Sequence, residues 1–98
     1  MGDCRERLRN FSDDARYEAG RQLFRVQNGL DPQNWKPIRQ VGPGVREIRI
    51  REDGQFRVFY VTNVGNALCV LHAFQKKTRK TTPSDITMGQ ELLKQIRG

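Results

Sequence analysis

The apolar positions of this chain change their period once, near its middle. Ala15, Ala19, Leu23 and Val26 recur at the i, i+4, i+8, i+11 spacing of a helix with one buried face. Ser12 ahead of them is a good N-cap, Asp13 and Asp14 suit the positive end of the helix dipole, and Gly29 supplies a stop. The spacing predicts a helix over about 13–28, preceded by a short one over about 5–11 with Leu8 and Phe11 on one side. A connection rich in Pro and Gly follows from Asp31 to Gly44, with Trp35, Ile38 and Val41 as its apolar anchors.

From Val45 the period is two. Alternation through Val45-Arg46-Glu47-Ile48-Arg49-Ile50-Arg51 sends Ile48 and Ile50 to the core and Glu47, Arg49 and Arg51 outward. Asp53-Gly54 is a hairpin signal, and the return strand Gln55 to Thr62 puts Phe56, Val58 and Tyr60 opposite Arg57, Phe59 and Val61. A turn over Asn63 to Asn66 leads to a further strand, Ala67 to Gln75. Thr82-Pro83 then reads as an N-cap with Pro at N1, opening a helix to about Arg97 with Ile86, Gly89, Leu93 and Ile96 as its packing stripe. The expected fold class is α+β: two N-terminal helices, a three- to four-stranded antiparallel sheet and a C-terminal helix, within one domain over 1–98.

Charge adds a function class to this frame. Eighteen Lys and Arg oppose eleven Asp and Glu, leaving +7 and a pI near 10.1. Thirteen of the cations are arginine, whose planar fork suits phosphate recognition. The excess is concentrated between Val45 and Lys80, where Arg46, Arg49, Arg51, Arg57, Lys76, Lys77, Arg79 and Lys80 face Glu47, Glu52 and Asp53. Nucleic acid, acidic protein surfaces and anionic membranes are the partners such a balance favours. Cys4 and Cys69 form no metal-ligand spacing with His72, so a reduced, cytoplasmic protein working without metal or cofactor is expected. No run approaches the ~20 apolar residues of a membrane span.

An arginine inside an apolar strand needs one face that meets water or a ligand. Arg49 and Arg57 are expected cross-strand neighbours, and like charges side by side favour an anion lying over them. A plain solvated face, with Glu47 as counter-ion, is the other reading. The Lys76 to Lys80 run is either a solvated loop or a phosphate-binding segment, with Phe74 beside it to stack on a base. His72 is either a hydrogen-bonded structural residue or a general acid–base; strict alternation puts it with Val70 and Phe74, opposite Cys69, Leu71 and Ala73. RNA cleavage needs little more than such a surface, because the 2′-hydroxyl beside the scissile phosphate is the nucleophile. Crowded lysines lose pKa and act as bases, while arginines stabilise the developing charge.

Trp35-Lys36-Pro37, Gly44-Val45-Arg46-Glu47-Ile48-Arg49, Phe56-Arg57-Val58-Phe59-Tyr60 and Leu71-His72-Ala73-Phe74-Gln75-Lys76-Lys77-Thr78 together resemble the RelE/ParE toxin superfamily, in its phage-derived, HigB-like branch. The resemblance implies a RelE-like fold and the toxin of a type II toxin–antitoxin pair. It implies an endoribonuclease that cuts mRNA on the ribosome without metal, restrained by an antitoxin of the helix-turn-helix kind that covers the active face or holds the toxin off the ribosome. Arg57 matches the family's phosphate-contacting arginine, Glu47 and Arg49 its charged catalytic strand positions, and Lys76, Lys77 and Lys80 its basic segment. The expected catalytic set is therefore Arg57, Lys76, Lys77, Glu47 and Arg49, with Arg46, Arg51, Phe74, Arg79 and Lys80 holding RNA. Lys76, Lys77, Lys80, Glu47 and His72 all stand as candidates for the general base. Two departures accompany the match. Pro83 to Gly98 contains no tyrosine, which some relatives carry in the last helix, and only Met1 to Cys4 precede Arg5 where relatives begin with a strand. A ParE-like gyrase inhibitor and an inactive RNA-binding relic are the alternative readings.

Overall fold

The computed structural model describes residues 11–52, 54–62, 68–77 and 82–97. In chain order the elements are α1 (Asp13–Gln27), β1 (Trp35–Pro37), β2 (Arg46–Arg51), β3 (Gln55–Thr62), β4 (Leu68–Gln75) and α2 (Pro83–Arg97). Helix α1 starts where its cap predicts: Ser12 Oγ accepts the Ala15 N–H at 3.2 Å. It ends at Asn28, and Gly29 takes the left-handed φ of 79° that closes the turn. The predicted helix over 5–11 lies outside the described residues except for Phe11, whose ring packs on Phe56 at 4.5 Å between centroids. Pro83 opens α2 behind Thr82, whose carbonyl accepts the Ile86 N–H at 3.2 Å.

The four strands form an antiparallel sheet in the order β1-β2-β3-β4. Strand β1 arises inside what the sequence reads as a connection. Three residues ending in proline show no period, and proline is tolerated in a sheet edge because it has no ladder N–H to lose. The hairpin between β2 and β3 pairs Arg51 with Gln55, and Gly54 there has φ 126°, a conformation that favours glycine. Asp53 and the predicted turn over 63–66 lie outside the described residues.

Each face of the sheet carries a helix. Ala15, Ala19 and Leu23 of α1 pack on Ile48, Ile50, Phe56, Val58, Tyr60 and Val70. On the other side Leu93 of α2 packs with Ile38, Val41, Val45, Phe59, Val61, Cys69 and Leu71. The face expected to meet water is therefore a second core over part of its area, and every β3 residue from Phe56 to Val61 is buried.

Strict alternation fails in β4. Phe59 pairs with His72 but Tyr60 pairs with Val70, so Leu71 is the extra residue of a bulge. Val70 and Ala73 consequently join the α1 core, while Cys69, Leu71 and Phe74 join the α2 side together with His72, the partner of Phe59. The expected grouping of Val70 with His72 and Phe74 is corrected by that single inserted residue.

Two glycines probe the packing with opposite signs. A Cβ on Gly89 would stand 3.0 Å from Val41 Cγ1 and 3.1 Å from Phe59 Cδ2, whereas one on Gly20 of α1 meets nothing within 4 Å. Gly20→Ala should stabilise by roughly 1 kcal/mol through helix propensity. Gly89→Ala gains the same propensity but overpacks the α2–sheet contact, which costs about 1–3 kcal/mol, so its net effect should be destabilising. Urea midpoints of the two variants check this; shifts of the same sign would mean that α2 does not sit tightly over Phe59.

Candidate nucleic-acid interface

Strand register gathers the charged residues. On the α2 side of the sheet, Lys36, Glu47, Phe59 and His72 form one row across β1 to β4. Arg49, Arg57 and Phe74 form the next, and Arg51 with Gln55 the third, where the Lys76 N–H donates to the Gln55 carbonyl at 2.7 Å. The apolar core under α2 occupies one end of this face. The cations begin where it stops.

Glu47 is the hub. Its Oε1 lies 3.3 Å from Arg49 Nε, 3.7 Å from Arg57 Nε and 4.0 Å from Lys36 Nζ. Its Oε2 is buried without a hydrogen bond from any described residue. The Glu47 side chain is 2% exposed and that of Arg57 5%, against 32% for Arg49 and 52% for Lys36. Arg57 folds back along its own strand, donating from Nη1 to the Phe56 carbonyl at 3.1 Å and from Nη2 to Gln55 Oε1 at 3.3 Å. Sequence reasoning presents Arg57 and Glu47 outward. The structure places both beneath the surface, because Phe59 and its neighbours bury that part of the face.

Other expected site residues separate from this hub. Arg46 points to the opposite face, where it lies over the Trp35 ring at 4.2 Å and pairs with Asp31 at 3.1 Å. Its place beside buried Tyr60 raises its pKa, while burial pushes the Tyr60 phenol up. Alternation alone decides this: Arg46 shares the parity of Ile48 and Ile50. Phe74 is on the right face, but His72 stacks on its ring at 5.0 Å and Phe59 meets its edge at 5.2 Å. His72 Nε2 lies 2.8 Å from Asp85 Oδ1, and the Thr82 hydroxyl donates to Asp85 Oδ2 at 2.6 Å, so the ring is tethered to the start of α2. Lys77 is exposed beside Lys76, and Arg79 and Lys80 lie outside the described residues.

Sequence reasoning gives Lys36 and Gln55 no site role. Lys36 lies in a three-residue edge strand with no readable period, and Gln55 carries no charge to attract notice. Among the described residues, shallow cavities of about 350 and 470 Å³ are lined around residues 37–46 and between Val41 and α2. Among the described residues no group of His, Cys, Asp or Glu is arranged to hold a metal, and no helix is long and apolar enough to cross a membrane.

The family described as phage-derived protein Gp49-like (DUF891) has a model that matches residues 6–94. The chain belongs to this Gp49-like family. No curated protein matches it significantly. The match spans α1, all four strands and most of α2, and so includes every described residue of the hub.

Electrostatics set the chemistry open to this Gp49-like surface. Among the described residues Lys36, Arg49 and Arg57 share one carboxylate, Glu47. Burial lowers the Arg57 pKa and Arg49 and Arg51 lower it further, against Glu47. Lys76 is lowered by burial first, then by Arg57, Arg49 and Lys36, again with Glu47 opposing. A surplus of positive charge over a buried carboxylate is relieved when an oxyanion binds above it. A lysine with a lowered pKa gives up its proton at lower pH than an ordinary lysine does.

Proposed function

We propose that the protein is the toxin of a type II toxin–antitoxin pair and a ribosome-dependent mRNA endonuclease. The observation that carries this reading is the convergence of Lys36, Arg49 and Arg57 on the single carboxylate of Glu47, beside the segment where the Lys76 N–H bonds the Gln55 carbonyl. Membership of the Gp49-like family, which is associated with RelE-like toxins of toxin–antitoxin systems, supports it. In the proposed reaction Arg49 holds the non-bridging oxygens of the scissile phosphate, and buried Arg57 adds field from beneath. Lys76 in its neutral form takes the proton of the 2′-hydroxyl. The 2′ oxygen bonds to phosphorus, the bond from phosphorus to the 5′ oxygen breaks, and that oxygen takes a proton from water, leaving a 2′,3′-cyclic phosphate. Glu47 is a positioning residue in this scheme, since its buried oxygens fix Arg49 without reaching substrate.

The partners follow from the same reading: mRNA on the ribosome as substrate, and in the cytoplasm a helix-turn-helix antitoxin that covers the charged face. Ribosomes stalled on a defined mRNA test it, with primer extension mapping any cut. The wild-type chain should produce a new stop at the A-site codon, lost in Arg49→Ala. An intact message with folded protein would remove the nuclease reading. Inhibition of gyrase supercoiling by the same preparation would then assign a ParE-like activity.

A further inference from the structure

We propose that Lys36, on the edge strand β1, is a ligand for RNA backbone phosphate, and that with Arg49 it forms an anion site over Glu47. The inference rests on the RNA-directed reading above and adds a binding residue to it. Three features of Lys36 carry it. Its ammonium approaches the same Glu47 oxygen as Arg49, at 4.0 Å, from the neighbouring strand. Its side chain is 52% exposed, the most open of the three cations on that carboxylate. And Glu47 is shared: with buried Arg57 already on Oε1, the carboxylate cannot neutralise Lys36 and Arg49 as well.

Among the described strands β1 and β4 are the outer ones, about 14 Å of backbone apart, so Lys36 and Lys76 rise from opposite edges of the charged face. A strand of RNA lying across β1 to β4 meets Lys76 from one edge and the Lys36–Arg49 pair from the other. Phe74 lies in the row between them. The edge strand thereby extends the active face instead of only closing the sheet.

A single-stranded 2′-O-methyl oligonucleotide, which offers no 2′-hydroxyl and so binds uncut, isolates binding from cleavage. Lys36→Gln should weaken its binding several-fold at low salt and flatten the log–log salt dependence by about 0.7, the contribution of one phosphate contact to a single strand. Lys36→Arg should retain the wild-type slope. Lys94→Gln, which removes an exposed charge from α2, should leave it unchanged. Because Lys36 is half-exposed on an edge, far-UV spectra of the variants should match wild type. A wild-type slope in Lys36→Gln overturns this inference and leaves the nuclease reading standing. Failure of the wild-type chain to bind the oligonucleotide overturns both. Inorganic phosphate bound by the wild type at least as tightly as the oligonucleotide, and lost in Lys36→Gln, would assign the site to free phosphate and overturn the RNA assignment.

Discussion

Lys76→Arg should lower the rate of mRNA cleavage by about 10²–10⁴-fold, the usual share of a general acid–base, while leaving RNA affinity close to wild type. Arginine keeps the positive charge and the reach of the side chain but does not surrender its proton in a protein. The substitution therefore separates a base from a phosphate ligand, which alanine would not. The sign of the pH dependence follows from the surroundings of Lys76. Burial, Arg57, Arg49 and Lys36 lower its pKa, so the neutral amine becomes available below the ordinary lysine range. Cleavage by the wild type should rise with pH and level off below that range, and Lys76→Arg should lose this limb. Bound phosphate moves the group the other way, so the limb for kcat should lie at higher pH than the limb for kcat/KM. Single-turnover rates on programmed ribosomes between pH 6 and about pH 9 measure both limbs. An arginine variant as fast as wild type would remove Lys76 from proton transfer and leave it a phosphate ligand.

Much of this arrangement was legible from residue order. The α1 stripe, its Ser12 cap, the Thr82-Pro83 start of α2 and the β2–β3 hairpin follow from local periodicity and capping chemistry, and the structure has them within a residue or two. The shared face of Glu47, Arg49, Arg51 and Arg57 follows from alternation and the turn. What was hidden depends on contacts between distant segments. The bulge at Leu71 inserts one apolar residue among apolar neighbours, so no change of hydropathy marks it, yet it reassigns Val70 and His72 to opposite faces. Strand β1 is defined by pairing with β2 and not by any pattern of its own, which is why Lys36 is given no site role by the sequence alone. Burial of Glu47 and Arg57 depends on a second core, built by Ile38 and Val41 from the connecting segment and by α2. A charge on an apolar strand shows that something faces it; whether that is water, ligand or another side chain is a tertiary fact.

The second large effect concerns that buried pair. Glu47→Ala should destabilise the fold by about 3–5 kcal/mol, because it leaves the Arg57 guanidinium buried without its countercharge. Arg57 cannot easily escape: its Nη atoms are already directed to the Phe56 carbonyl and Gln55, and its side chain is 5% exposed. Arg49 and Lys36 reach solvent and would be screened, so the buried partner accounts for most of the loss. In a domain of this size such a loss lowers the melting midpoint by more than about 10 °C. The pair itself is a different matter, since charges removed from water regain in mutual attraction only part of what desolvation costs, and Glu47 Oε2 and Arg57 Nε have no hydrogen bond from the described residues. Glu47→Leu combined with Arg57→Met should therefore recover much of the stability lost in either single variant. Urea unfolding of the wild type, the two single variants and the double variant gives the coupling directly. A double variant no more stable than Glu47→Leu alone would mean that Arg57 is solvated in solution and that the carboxylate is not its counter-ion. If the double variant folds but no longer cuts mRNA, the charged pair is kept for the work of the surface and not for the fold. Glu47 would then hold Arg49 in place, and Arg57 would supply the field that lowers Lys76.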